Sequence, residues 1–163
     1  MDRFESYQEM RQRVGELYRQ QEIKDAYQKT VLQYNVDSDH VIMGGFSSGG
    51  HLALTLLMEE VLIFPCRGFV VLCPPVPDGI SIEKIERVVE LGQRGVLLTT
   101  EMDPRLKDQE KFALVLESAG VPLRFEVFPN IGHWYPPDLD DKIHQAVDFV
   151  FQTKENSGER EAE

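Results

Sequence analysis

A short glycine- and serine-rich stretch contains the pattern typical of a catalytic serine. Residues 45–49 read Gly-Phe-Ser-Ser-Gly, and they follow an apolar run and precede a run of helix-forming residues. This order is typical of a nucleophile elbow, in which a tight strand–turn–helix junction projects the central serine from the sheet. Glycines two residues before and after that serine would let the strand and helix backbones pass closely. We therefore predict Ser47 as a nucleophile.

The neighbouring Ser48 is the alternative nucleophile, but Phe46 stands two residues before it and would clash in such a turn. The backbone amide of Ser48 would instead point to the position where an oxyanion forms. We therefore predict this amide as an oxyanion donor. The alternative interpretation is an ordinary Gly/Ser turn joining a buried strand to a helix.

A serine hydroxyl becomes nucleophilic only when a base removes its proton, and the sequence offers four histidines. His133 lies in a loop after the last predicted strand, in Asn-Ile-Gly-His-Trp-Tyr-Pro, where its imidazole could reach Ser47. His40 precedes the elbow strand, and His51 and His144 lie within predicted helices. We predict His133 as the base; the alternative is a loop histidine that bonds only to backbone.

The base needs a carboxylate that fixes its tautomer and stabilises the imidazolium. Asp103 follows the third predicted strand, in Thr-Thr-Glu-Met-Asp-Pro, and is the strongest candidate. An aspartate before proline is also a good helix N-cap, which is the alternative role. Glu101 and Asp78 remain alternatives for the acid, the second because it follows the second strand.

The elements that must position these groups alternate between strand and helix. Predicted strands cover Val41–Met43, Phe69–Leu72, Val96–Thr99 and Leu123–Phe128, and predicted helices cover 3–34 in one or two pieces, Ser48–Ile63, Ser81–Leu91, Asp103 to about Gly120, and Asp138–Phe151. This alternation predicts an α/β fold in three layers, with a mostly parallel four-stranded sheet and helices on both faces. Ligand sites in such sheets lie beyond the carboxyl ends of the strands, where Ser47, Asp103 and His133 would converge.

Length and composition limit the classes to which this protein could belong. The 163 residues suit one domain, predicted over 1–152 with a helical lead-in over 1–35 and an acidic flexible tail over 153–163. A net charge of −11 argues against nucleic acid and anionic membranes as partners. No apolar run could span a bilayer and no signal peptide is recognisable, which favours a cytoplasmic protein. Cys66 and Cys73 have neither metal-ligand nor redox spacing, so we expect no metal.

Three motifs together resemble a known family: Gly-Phe-Ser-Ser-Gly-Gly, Met-Asp-Pro and Phe-Pro-Asn-Ile-Gly-His-Trp-Tyr-Pro. They are similar to motifs of the serine α/β-hydrolases, especially the phospholipase/carboxylesterase-like branch of predicted esterases. The resemblance extends over about residues 27–151. It implies that Ser47 is the nucleophile, Asp103 the acid, His133 the base and the Ser48 amide an oxyanion donor. It further implies carboxylic ester or thioester substrates of modest size and an acyl-enzyme formed without metal or cofactor.

Aromatic residues beside these motifs are candidates for the substrate pocket. Phe46, Trp134 and Tyr135 could form aromatic walls around an acyl group. Ordinary packing is the alternative role of these three side chains.

The sequence departs from the family before the elbow. The family has several strands there, and the loop after one of them supplies a second oxyanion donor. Here only about forty, largely helical residues precede the strand Val41–Met43. Three explanations stay open: a fragment of a longer protein, pairing of that exposed strand with a second copy or a partner chain, or a reduced, weakly active relative. The alternative function is a non-catalytic binding or interaction domain; a nucleotide binder is disfavoured because no G-K-[ST] or G-x-G-x-x-G is present.

Overall fold

The structure, a computed structural model, describes residues 7–59 and 65–152. Helices and strands alternate through this part of the chain. In order they are α1 (Tyr7–Gln33), a short 3₁₀ helix (Ser38–His40), β1 (Ile42–Phe46), α2 (Ser48–Glu59), β2 (Gly68–Leu72), α3 (Ile82–Glu90), β3 (Arg94–Thr100), α4 (Leu106–Ser118), β4 (Leu123–Phe128) and α5 (Leu139–Phe151). The predicted acidic tail over 153–163 lies outside the described residues.

The contacts divide the chain into two compact units, with the boundary between Asp37 and Ser38. The first unit contains α1, and the second contains all four strands and the remaining helices. The prediction that residues 1–152 form a single domain stays a prediction. None of the helices in the described ranges is long and apolar enough to cross a membrane.

The four strands form one parallel sheet in the order β1-β2-β3-β4. Strand β2 is buried along its whole length, as expected of an inner strand covered on both faces. Strand β1 is outermost in the described sheet, and its residues are half-buried or exposed. The predicted α/β class and parallel four-stranded sheet are therefore confirmed. Pairing of a further strand against β1 stays a prediction.

Two apolar clusters lie on opposite faces of the sheet. One contains buried residues of α2, α3 and α4 packed on alternate strand residues such as Phe69, Val71 and Leu97. The other packs α5 against the intervening residues, including Val70 and Leu98. Right-handed crossovers between neighbouring parallel strands place the connecting helices on one face, whereas α5 follows the last strand and covers the other. The prediction of helices on both faces is confirmed.

Several element boundaries differ from the sequence prediction. Strand β1 begins at Ile42 and continues through the two glycines to Phe46, because Gly44 and Gly45 pair with Val70 and Val71 of β2. Helix α1 is a single uninterrupted helix over its described length. Helix α4 begins at Leu106 rather than at the Asp-Pro pair, which forms a turn instead. The predicted end of α2 at Ile63 falls outside the described residues.

Candidate active site

Ser47 occupies the turn between β1 and α2 with its backbone in the left-handed region, at φ 52°. This conformation costs a non-glycine residue about 1–2 kcal/mol. Two backbone hydrogen bonds hold it: the Ser47 N–H donates to the carbonyl of Leu72 at 2.9 Å, and the His51 N–H donates to the carbonyl of Ser47 at 3.0 Å. The turn is therefore locked to the end of β2 and to the first turn of α2. A strained strand-to-helix turn is what the predicted nucleophile elbow requires.

The glycines around this turn are not equally constrained. A Cβ at Gly45 would lie 2.4 Å from the carbonyl carbon of Gly49, so no side chain fits there. A Cβ at Gly49 itself would meet nothing within 4 Å, which corrects the expectation that the position two residues after Ser47 must be bare. The second confined position is Gly50, where a Cβ would lie 2.9 Å from the carbonyl oxygen of Gly45. The positions at which a side chain would clash are therefore Gly45 and Gly50.

The loop that carries His133 is fastened to the end of β3. The Thr100 hydroxyl donates to the carbonyl of Gly132 at 2.7 Å. The Met102 N–H donates to the carbonyl of Ile131 at 3.0 Å, and the Asn130 N–H donates to the Glu101 carboxylate at 2.7 Å. These bonds hold the loop over the carboxyl ends of the strands.

Ser47, His133 and Asp103 form a continuous chain of hydrogen bonds. His133 Nε2 lies 2.8 Å from the Ser47 Oγ, and His133 Nδ1 lies 2.6 Å from Oδ2 of Asp103. Since an ionised carboxylate only accepts, Nδ1 carries the proton and donates to Asp103, and Nε2 accepts from the serine hydroxyl. His133 is thus within hydrogen-bond distance of both of the other residues that were predicted to converge at this edge of the sheet. This tautomer leaves Nε2 free to act as a base.

Asp103 is buried and has two hydrogen-bonding roles. Oδ2 accepts from His133, while Oδ1 accepts from the backbone N–H of Arg105 at 2.8 Å. Burial alone would raise the pKa of this carboxyl, but the bonds from His133 and from the Arg105 amide and guanidinium outweigh it and lower the pKa. Asp103 therefore stays ionised near neutral pH. Asp103 thus bonds to the histidine, whereas its alternative role as a helix N-cap is wrong: Arg105 is the N-cap of α4, and Asp103 bonds to the turn that precedes it.

Arg105 is a residue of this site that the sequence analysis missed. Its Nε lies 3.3 Å from Oδ1 of Asp103, and a terminal nitrogen lies 2.9 Å from Nδ1 and 3.3 Å from Nε2 of His133. The guanidinium thus contacts both members of the acid–base pair while remaining about one third exposed. The Asp-Pro-Arg spacing gave no signal for this contact, because it depends on the tight turn before α4.

The alternative acids and bases lie elsewhere. The Glu101 carboxylate accepts from the Asn130 amide, and Asp78 is exposed in the segment after β2. His51 Nδ1 lies 3.3 Å from the carbonyl of Pro75. His144 is exposed on α5 and bonds to the carbonyl of Asp140, while His40 packs against the Phe151 ring at 5.0 Å. None of these five side chains hydrogen-bonds to the Ser47 hydroxyl within the described residues, although the backbone N–H of His51 donates to the Ser47 carbonyl.

The predicted aromatic residues cluster beside His133. The Phe46 ring stacks on the imidazole at a centroid distance of 4.9 Å, and the Tyr135 ring lies 4.5 Å from that of Phe46. Trp134 meets Tyr135 edge-on at 5.4 Å and is largely exposed. These rings form one side of the candidate site, which is where the sequence analysis expected an acyl group.

Cys73 lies close enough to the pair to be considered as a metal ligand. One potential ligand atom of each of Cys73, Asp103 and His133 lies within 4.8 Å of the others. Burial raises the pKa of the Cys73 thiol, so the sulfur stays protonated, and the facing atoms of Asp103 and His133 already bond to each other. This donor set fits an acid–base pair better than a metal site.

Comparison of the fold with solved structures identifies its class. The chain matches no family profile and no curated protein sequence. An uncharacterized protein from Bacillus cereus ATCC 10987 matches over 83% of this chain and 44% of its own length, at 24% identity and a TM-score of 0.71. Arabidopsis thaliana SOBER1 matches over 84% of this chain and 65% of its own, at 18% identity and a TM-score of 0.65.

A Bacillus cereus carboxylesterase is similar in the same way, with 18% identity and a TM-score of 0.64 over 83% of this chain and 62% of its own. The chain therefore spans between 44% and 65% of the length of these three structures. Its parallel sheet and helices are consistent with a truncated α/β-hydrolase core. At these identities the likeness concerns the fold alone.

Proposed function

We propose that this protein is a serine hydrolase of carboxylic esters or thioesters, with Ser47 as nucleophile, His133 as general base and acid, and Asp103 as the carboxylate that orients the imidazole. The observation that carries this proposal is the hydrogen-bonded chain from the Ser47 hydroxyl through His133 to Asp103. The esterase fold of the matched structures supports hydrolysis as the general reaction.

The proposed reaction proceeds through an acyl-enzyme. His133 Nε2 takes the proton as Ser47 Oγ attacks the ester carbonyl, and the ionised Asp103 stabilises the imidazolium that forms. The proposed oxyanion donor is the Ser48 N–H, which stands at the first residue of α2 and has no partner within the helix. His133 then returns the proton to the leaving alcohol, and a water molecule activated by the same imidazole hydrolyses the acyl-serine.

A second candidate is a hydrolase-fold binding domain with little or no turnover. What favours it is that the proposed mechanism has one candidate oxyanion donor within residues 7–59 and 65–152, the Ser48 amide, where α/β-hydrolases use two. Loss of one donor typically lowers turnover by about 100- to 1,000-fold. Weak activity is therefore compatible with the proposed mechanism, whereas no activity at all would favour the binding domain.

Hydrolysis of matched chromogenic esters separates the two candidates. We expect the folded protein to release p-nitrophenol from p-nitrophenyl acetate faster than buffer does, and to leave p-nitrophenyl phosphate unchanged, because the proposed substrates are carboxylic esters rather than phosphate monoesters. Preincubation with a fluorophosphonate should abolish the acetate activity. A folded protein without activity toward the acetate would reject the esterase and favour the binding domain.

A further inference from the structure

A cleft of about 540 Å³ opens between the segment that follows β2 and helix α4. Its volume lies in the range of small-molecule sites. Most of its lining is apolar, with Val76 and Ile80 on one wall and Val115 on the other. Ile85 and Phe112, which belong to the buried core, also line it. The cleft is therefore an apolar recess that reaches down to the core.

The wall formed by the segment after β2 is held in place by buried hydrogen bonds. Gln109, fully buried on α4, donates from its side-chain amide to the carbonyl of Pro74 at 2.9 Å. The Thr99 hydroxyl donates to the Gln109 side-chain oxygen and completes its bonding. His51 Nδ1 lies 3.3 Å from the carbonyl of Pro75, the first residue of the lining. These bonds fix the backbone at Pro74 and Pro75, so this end of the cleft is formed before a ligand binds.

The cleft adjoins the candidate active site through Arg105. This side chain lines the cleft and also contacts both ring nitrogens of His133. The charged groups of the lining balance, with Arg105 and Lys111 against Asp78 and Asp108, and Lys111 pairs with Asp108 at 3.4 Å. The lining therefore offers no net charge that would select an ionic ligand, so an apolar group is the occupant that fits.

We propose that this cleft binds the alcohol part of the ester substrate and that the alcohol is apolar. This inference rests on the proposed function, because His133 Nε2 must deliver a proton to the leaving oxygen. That oxygen must therefore lie beside the imidazole. The Arg105 side chain lies 3.3 Å from Nε2 and also lines the cleft, so the cleft is the adjoining space into which the alcohol can extend. The acyl group, which is attached at the carbonyl carbon, would then contact the aromatic cluster of Phe46 and Tyr135.

A second, shallower cleft of about 300 Å³ continues the apolar surface. It shares Val115 with the first and is lined further by Ile82, Leu114 and Ala119. Ile82 and Leu114 are more than half exposed. An extended alkyl chain could follow both clefts, so a flexible aliphatic alcohol fits better than a compact ring.

Two series of esters distinguish an alcohol site from an acyl site. One series keeps the acetyl group and lengthens the alcohol from ethyl to octyl; the other keeps ethanol and lengthens the acid from acetic to octanoic. Acid release is measured in a pH-stat for the wild type, for Val115→Trp, which fills the cleft, and for the matched control Glu110→Trp. Glu110 is exposed on the same helix, outside the lining of both clefts.

We expect kcat/KM of the wild type to rise by up to about fourfold for each methylene added to the alcohol, because each one is buried. Val115→Trp should lower kcat/KM for octyl acetate by about tenfold or more and leave the acyl series and ethyl acetate nearly unchanged. Glu110→Trp should change neither series. Val115 is about half exposed, so tryptophan should be tolerated there, and Ile80→Trp on the opposite wall is the second variant.

If Val115→Trp abolished the chain-length preference in the acyl series instead, the assignment of the cleft to the alcohol would be overturned. No change in either series with both variants folded, as judged by circular dichroism, would remove the cleft from the substrate site. Failure of the proposed function would look different, because the wild type would then hydrolyse neither ethyl acetate nor any longer ester, and the inference would fall with it.

Discussion

Replacing Ser47 with alanine is expected to lower kcat for short carboxylic esters by about 10⁴- to 10⁶-fold. In the proposed mechanism the hydroxyl oxygen bonds to the acyl group, so its removal would leave only oxyanion binding and substrate positioning. The substitution should leave the fold intact, because the elbow is held by backbone bonds of residue 47 that alanine retains. Stopped-flow or fluorogenic assays with a detection limit well below the wild-type rate provide the measurement.

Ser48→Ala is the matched comparison for this variant. Ser48 is the exposed neighbouring serine, and alanine keeps the backbone N–H that we propose as the oxyanion donor. We expect its kcat to stay within about tenfold of the wild type. If Ser48→Ala were the variant that lost activity, or if Ser47→Ala kept it, the assignment of the nucleophile would be wrong.

Replacing His133 with asparagine is the second change with a large expected effect, a loss in kcat of about 10⁴-fold or more. Asparagine can still bond to Asp103 but cannot take the proton from the Ser47 hydroxyl. Because the two residues act as one unit, the double variant with Ser47→Ala should be scarcely slower than either single variant. Steady-state kinetics on the three variants measure this lack of additivity.

The control for the histidine is His144→Asn on the exposed face of α5. His144 bonds only to the carbonyl of Asp140 in the preceding turn, so its replacement should leave both kcat and thermal stability unchanged. A merely structural role of His133 would show itself as loss of folded protein, with activity and stability falling in parallel. Losses that multiply in the double variant would also argue against a shared role.

Much of the site follows from the sequence because the topology is simple. In a parallel sheet all strands end at the same edge, so Ser47 after β1, Asp103 after β3 and His133 after β4 were predictable neighbours. The Gly/Ser-rich stretch predicted a tight turn at Ser47 between a strand and a helix, and the alternation of strands and helices predicted the layers. These features depend on local pattern and on the handedness of crossovers, both of which the sequence carries.

Other features depend on tertiary contacts that no local pattern encodes. Gly49 satisfies the motif yet is unconfined, whereas Gly50 is pressed between the Gly45 carbonyl and Pro74, which comes from another segment. The approach of Arg105 to His133 follows from the turn at Pro104 and from the hydrogen bonds that hold the loop after β4 against the end of β3. The continuation of β1 through two glycines follows from the hydrogen-bonding partner that β2 supplies, since glycine itself is a poor strand former.

The most direct measurement of the central claim is the site at which a fluorophosphonate attaches to the folded wild-type protein, read by peptide mass spectrometry. The hydrogen-bonded chain from Ser47 to Asp103 predicts a single adduct on Ser47, formed rapidly in the wild type and lost in His133→Asn. An adduct on another residue, or no adduct on a protein that still hydrolyses esters, would contradict the assignment of Ser47 and His133 as a catalytic pair.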